Sequence, residues 1–145
     1  MCIRDSNNPL LRALRVGKLT IAALGATLRC YRDRAARERL PLFRQLAATL
    51  EELSERAKAY VEALPGASAG ESVAYIGGGA LPQASIASIA IAVPSERPQR
   101  LAARLRAGEP AIVTRIEGGR LLLDLRAIAP HEDHLVIASL LRLAG

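Results

Sequence analysis

Apolar positions recur at a spacing of three to four residues through the first half of the chain, and at alternate residues through much of the second half. That change of period predicts helices first and strands afterwards. Asn8-Pro9 opens a short helical turn to Leu14, with Asn8 as N-cap and Pro9 at the first helical position. Lys18 to about Arg32 is predicted as a longer helix, its stripe carried by Leu19, Ala22, Ala23 and Ala26 and continued by Leu28, Cys30 and Tyr31. Gly25 interrupts that stripe and costs up to about 1 kcal/mol relative to alanine. Asp33 to Arg39 reads as a charged connector, and Pro41 restarts a short helix through Ala47. Thr49-Leu50-Glu51-Glu52 has the form of a capping box, in which the threonine hydroxyl and the Glu52 carboxylate each satisfy a backbone N–H of the first turn. Leu50, Leu53, Ala57, Tyr60 or Val61, and Leu64 line one face of the helix that follows, and Pro65-Gly66 ends it.

Ala67 to Gly70 is a small-residue linker, after which Ser72 to Ile76 reads as a strand. Gly77-Gly78-Gly79 and Pro82 mark a loop, and Ser85 to Val93 alternates small residues with isoleucine as a second strand. Arg97 to Ala107 is an amphipathic helix ended by Gly108. Ala111 to Ile116 and Arg120 to Leu125 form a hairpin across a three-residue loop, Glu117-Gly118-Gly119, with glycine in the left-handed position. Pro130 to about Ala144 is a closing helix. The order is helices, then β-β-α-β-β-α. It predicts an α+β fold: leading helices, then a small three- to four-stranded, mainly antiparallel sheet with helices on one face. Residues 67–145 make up that α+β domain and residues 8–66 a helical segment before it. Residues 1–7 fit neither pattern and read as a foreign or misassembled head.

Composition narrows the function classes. The chain has 145 residues and half of them are hydrophobic, enough for one buried core. No apolar stretch approaches the length of a membrane span, and no signal peptide is visible. The formal net charge of +6 is almost all arginine, with Lys18 and Lys58 the only lysines. A basic excess suits anionic partners such as phosphate groups or RNA. The arginines alternate with acids along helices, as from Glu51 to Arg56, and are read mainly as solvated faces. Aromatic residues are 3% of the chain, which speaks against base-stacking platforms. Cys2 and Cys30 make neither a metal spacing nor a disulfide framework, in keeping with a reducing cytoplasm. His131 and His134 stand three apart on a helix without a further ligand cluster, so no metal site is assigned. Gly77 to Gly79 lacks the order of a phosphate-binding fingerprint and reads as a turn. Arg12 and Arg15 share one helical face, where two guanidinium groups can hold one anion. Arg115, beside a hairpin turn, is a weaker anion-binding candidate, with a structural pairing to Glu117 or Asp124 as its plainer role.

The run from Asn8 to Tyr31, NPLLRALRVGKLTIAALGATLRCY, resembles a segment of the bacterial L-seryl-tRNA(Sec) selenium transferases. Gly17 and Gly25 stand where that family usually has Asp and Glu. Gly77 to Pro82 is similar to the family's glycine-rich loop, and Val113 to Arg126 to its hairpin. The resemblance covers nearly all of the chain from Asn8 on.

The resemblance implies the small domain of a pyridoxal-phosphate (PLP) enzyme of the aspartate-aminotransferase fold type. Such an enzyme converts seryl-tRNA(Sec) to selenocysteinyl-tRNA(Sec) with selenophosphate as donor. The PLP lysine would lie upstream of Asn8, so Lys18 is not that residue, no catalytic residue falls in this chain, and the chain alone would be inactive. Arg12 and Arg15 would bind the selenium donor. The intact enzyme would be a cytoplasmic homo-oligomer, a ring built from dimers. A related amino-sugar ammonia lyase is an alternative of the same architecture, and a free-standing basic RNA-binding module an alternative of another class.

Overall fold

The computed structural model describes residues 14–33, 40–75 and 85–144. The turn expected from Pro9 and the loop around Gly77 to Gly79 lie outside the described residues, the former but for Leu14. The chain divides into two compact units, Met1–Phe43 and Arg44–Gly145.

In the first unit, α1 (Lys18–Arg32) occupies the predicted span. Its N-cap is Gly17, which offers no side-chain hydrogen bond to the first turn, and the first turn has no acid. None of its residues is buried: Leu19, Ile21, Leu24 and Leu28 all lie open to solvent. Tyr31 meets Phe43 edge to face, with ring centroids 4.9 Å apart.

The short helix α2 (Pro41–Ala47) leads into the second unit. There α3 (Leu50–Ala63) begins on the predicted capping box. Thr49 Oγ1 accepts from the Glu52 N–H at 3.2 Å, and Glu52 Oε2 accepts from the Thr49 N–H at 2.9 Å. Two N–H groups that the helix cannot satisfy internally are thereby paired. Leu53, Ala57 and Tyr60 are buried along one face.

Four strands follow: β1 (Ser68–Tyr75), β2 (Ser85–Pro94), β3 (Arg115–Glu117) and β4 (Arg120–Asp124). Helix α4 (Pro98–Arg106) joins β2 to β3, and a 3-10 turn (Pro130–Glu132) leads into α5 (Asp133–Ala144). The sheet order is β1-β2-β4-β3, and every pairing is antiparallel. This is the expected α+β class. Ile91 and Val93 face Leu123 and Leu121 across the ladder, and these four pack with Leu53, Tyr60, Leu101, Leu105 and Leu140 of the helices. The alternate residues, Ser72, Ser88, Ala90, Ala92, Leu122 and Asp124, belong to the other face of the sheet.

Three expectations are revised. The first strand begins at Ser68, so most of the supposed linker from Ala67 to Gly70 is strand; its backbone pairs with the far half of β2, and small side chains do not prevent that. The β3 strand is only three residues long. The Ile112 N–H donates instead to Leu105 O of α4 at 2.9 Å, and Ile112 is buried in the core, which draws the preceding segment off the sheet. The hairpin loop has two residues, since Glu117 pairs directly with Arg120. Gly118 and Gly119 both have positive φ, 56° and 75°, the conformation a two-residue turn between twisted strands demands.

Candidate functional site

The face of the sheet away from the core carries a polar cluster. Ser72 and Ser88 are direct partners across β1 and β2, and Asp124 stands opposite Ala90, one step along the same face. Both serine hydroxyls donate to the Asp124 carboxylate, Ser88 to Oδ1 at 2.5 Å and Ser72 to Oδ2 at 3.3 Å. The Arg126 backbone N–H also donates to Oδ1, at 3.0 Å. Arg115 extends the cluster: its Nη2 donates to Ser72 Oγ at 3.2 Å, and its Nε stands 3.7 Å from Glu117 Oε2. A guanidinium has five N–H donors, and these contacts leave several for an incoming anion. Arg115 and Leu122 form the wall between two open cavities. One of ≈ 490 Å³ is bounded by Thr114, Asp124, Glu132 and Val136, and one of ≈ 450 Å³ lies over β1. The buried hydroxyl of Thr114 has no hydrogen-bond partner among the described residues.

Two further arginines are placed where sequence patterning did not put them. Arg56 is not part of a solvated face. Its Nε and Nη2 grip Asp133 at 2.8 and 2.7 Å, and its remaining donors reach Leu125 O and Ile128 O, each at 3.0 Å. The Tyr60 hydroxyl donates to the same carboxylate at 2.8 Å. Burial first, then the hydrogen bond to Asp133 and its charge, push the Tyr60 hydroxyl well above the usual tyrosine range. Arg126 is buried, and its guanidinium donates to Gln45 O and Ala48 O at 2.7 Å and to Ala87 O at 2.6 Å. The first two carbonyls end α2, where the helix leaves acceptors unpaired and the dipole favours a cation. Arg126 therefore caps α2 and ties it to β2. These pairs are separated by 39 to 81 residues, and no local spacing announces them. The one sequence signal is Arg126 itself, one of only two charged residues, with Asp124, in the otherwise apolar run from Leu121 to Ile128.

The chain matches the family model described as L-seryl-tRNA selenium transferase over residues 3–129. The chain belongs to that selenium transferase family. It is 41% identical to the L-seryl-tRNA(Sec) selenium transferase of Geobacter sulfurreducens, over 95% of this chain and 32% of the relative. It is 37% identical to the enzyme of that name from Geobacter metallireducens, covering 96% and 32%. Against the one from Wolinella succinogenes identity is 43%, over 86% and 28%. The chain thus spans about a third of the length of the transferases it matches.

Arg12 and Arg15 are the two arginines expected from the resemblance to bind the selenium donor. Arg12 lies outside the described residues, and Arg15 is exposed just ahead of α1. Lys18 is exposed in the first turn of α1, and Lys58 is exposed on α3 in an ion pair with Glu55. Neither lysine lines the cavities described above. His131 and His134 are exposed, while Asp133 between them is turned to Arg56. Among the described residues no group of three or more His, Cys, Asp or Glu comes together as a metal site. None of the described helices is long and apolar enough to cross a membrane.

Proposed function

We propose that this chain is the C-terminal part of a transferase that converts seryl-tRNA(Sec) to selenocysteinyl-tRNA(Sec), with selenophosphate as donor. The observation that carries the reading is the family match over residues 3–129, together with relatives that all bear the transferase name. That shared name is the reason to prefer it to an amino-sugar ammonia lyase or a free-standing RNA-binding module.

The residues present do not fit PLP. The only two lysines are exposed, one at a helix start and one in a surface ion pair, and neither lines the cavities at Arg115 or the groove beside α4. A cofactor lysine needs desolvation and a shaped cavity around it. In the proposed transferase the cofactor is held by residues other than those of this chain. The contribution of this chain is binding. Arg12 and Arg15, three apart, present two guanidinium groups to the donor's phosphoryl oxygens through charge-assisted hydrogen bonds. The intact enzyme works in the cytoplasm as a homo-oligomer built from dimers, with Arg115 as a further, weaker anion contact on the small domain.

A chimera tests this. The C-terminal third of the Geobacter sulfurreducens relative is replaced by residues 8–145 of this chain, and selenium transfer to seryl-tRNA(Sec) is measured. Transfer is expected, and the Arg12→Ala, Arg15→Ala double variant is expected to raise the KM for selenophosphate roughly tenfold or more. An unchanged KM would remove the donor-binding role. A chimera that folds and oligomerises like the relative, yet transfers no selenium, would remove the transferase reading.

A further inference from the structure

At the end of the sheet bearing the Gly118-Gly119 turn, the link from β2 to α4, helix α4 itself and the β3–β4 turn enclose an open groove of ≈ 850 Å³. Arg97, Arg100 and Arg104 all line it. They stand at positions i, i+3 and i+7, on one side of α4; Leu101, buried beside them, also lines the groove, while Ala102 and Leu105 are buried in the core outside that lining. Arg120 stands at the rim, its Nη1 3.4 Å from Ser68 Oγ. The one acid in the lining is Glu96. Arg104 Nη1 donates to Leu143 O at 3.3 Å, and none of the four arginines is in an ion pair among the described residues.

The backbone adds to this charge. Helix α4 has Arg97 at its N-cap with no side-chain cap, proline in its first turn and no acid there. Its unpaired N–H groups and the positive end of its dipole meet Arg97 and Arg100 in the groove. Placing cations at that end, and like charges at i,i+3 and i,i+4, opposes the stability of the helix. Such an arrangement is offset by an anion.

We infer that this groove binds consecutive phosphates of an RNA backbone. At ≈ 850 Å³ it is far larger than one small anion, and three of its charges are strung along a helix. It contains no aromatic residue to stack a base, so its contacts are with phosphates and not with sequence. The choice of RNA over another polyanion rests on the proposed tRNA substrate. The site shares no residue with Arg12, Arg15 or Arg115.

The test is binding of the whole 145-residue chain to a tRNA transcript across a salt series. Replacing Arg97, Arg100 and Arg104 together by Gln is expected to lower affinity at least about tenfold at low salt. It should also reduce the slope of log K against log salt by about 2 to 3. Replacement of the same three by Lys is expected to keep the slope. Circular dichroism checks the fold, and if the triple variant does not fold, Arg100→Gln alone is expected to reduce the slope by about 1. An unchanged affinity and slope overturns the proposal. So does saturable binding of inorganic phosphate or pyrophosphate with no binding of tRNA, which would make the groove a site for free phosphates. Loss of tRNA binding in the groove variants leaves the donor role of Arg12 and Arg15 untouched, and the chimera's selenophosphate KM decides that role separately.

Discussion

Helices α1 and α3 are nearly the same length, 15 and 14 residues, and both are striped with apolar side chains. Their fates differ. On α3, Leu53 and Tyr60 are fully buried and a capping box closes the first turn. On α1, no residue is buried, the N-cap is a glycine, and Leu19 is 86% exposed. An apolar stripe is thus a demand for a partner and does not show that one is present. The helical pattern of α3 is matched by a sheet face of Ile91, Val93, Leu121 and Leu123 within the same unit. The pattern of α1 is as clear, but its unit contains no such face among the described residues.

The largest way to break the comparison is truncation at matched positions. Leu53→Ala is expected to cost about 2–5 kcal/mol, because it opens a cavity in the core. Leu24→Ala, on the exposed stripe of α1, is expected to change stability by no more than about 0.5 kcal/mol. Urea unfolding of the chain separates the two, and equal losses would show that α1 is packed after all.

Next in size is the tie between α3 and α5. Asp133→Ala strands the Arg56 guanidinium, which is only 17% exposed, and is expected to cost about 2–3 kcal/mol, near the lower end for broken buried pairs. Tyr60 gives the same tie a pH signature. Its unfolded hydroxyl ionises near 10.0, while the folded one stays protonated well above that. Above that pH the unfolded state binds fewer protons, so stability falls as pH rises. Tyr60→Phe is expected to flatten that alkaline fall, read from unfolding midpoints over an alkaline pH series. An identical fall in the variant would assign it to other groups.

The smallest effects concern the caps. Thr49→Ala is expected to destabilise α3 by about 1 kcal/mol. Gly17→Asp on α1, where nothing stands within 4 Å of an added Cβ, is expected to stabilise by a few tenths of a kcal/mol. Far-UV circular dichroism should show the second as a gain in helix content, and thermal unfolding the first as a lower midpoint.

Much of this molecule was legible in the order of its residues. The spans of α1 and α2, the capping box at Thr49, the β-β-α-β-β-α order and the hairpin at Gly118-Gly119 all rest on neighbours within a few positions. Periodicity, capping and turn chemistry are local, and so is the resemblance carried by the run from Asn8 to Tyr31. The errors are local ones too. Ser68 to Gly70 looked like a linker because small side chains hide a strand whose pairing is made by the backbone. The arginines were the residues least readable from sequence, since each looks alike on paper. Only the tertiary structure made Arg126 the cap of α2, Arg56 a partner of Asp133 some 77 residues away, and Arg97, Arg100 and Arg104 the wall of one groove. The reason is physical. A guanidinium's role depends on which carbonyls, carboxylates or other cations the fold brings within reach of its long side chain, and in this chain those partners come mostly from distant segments.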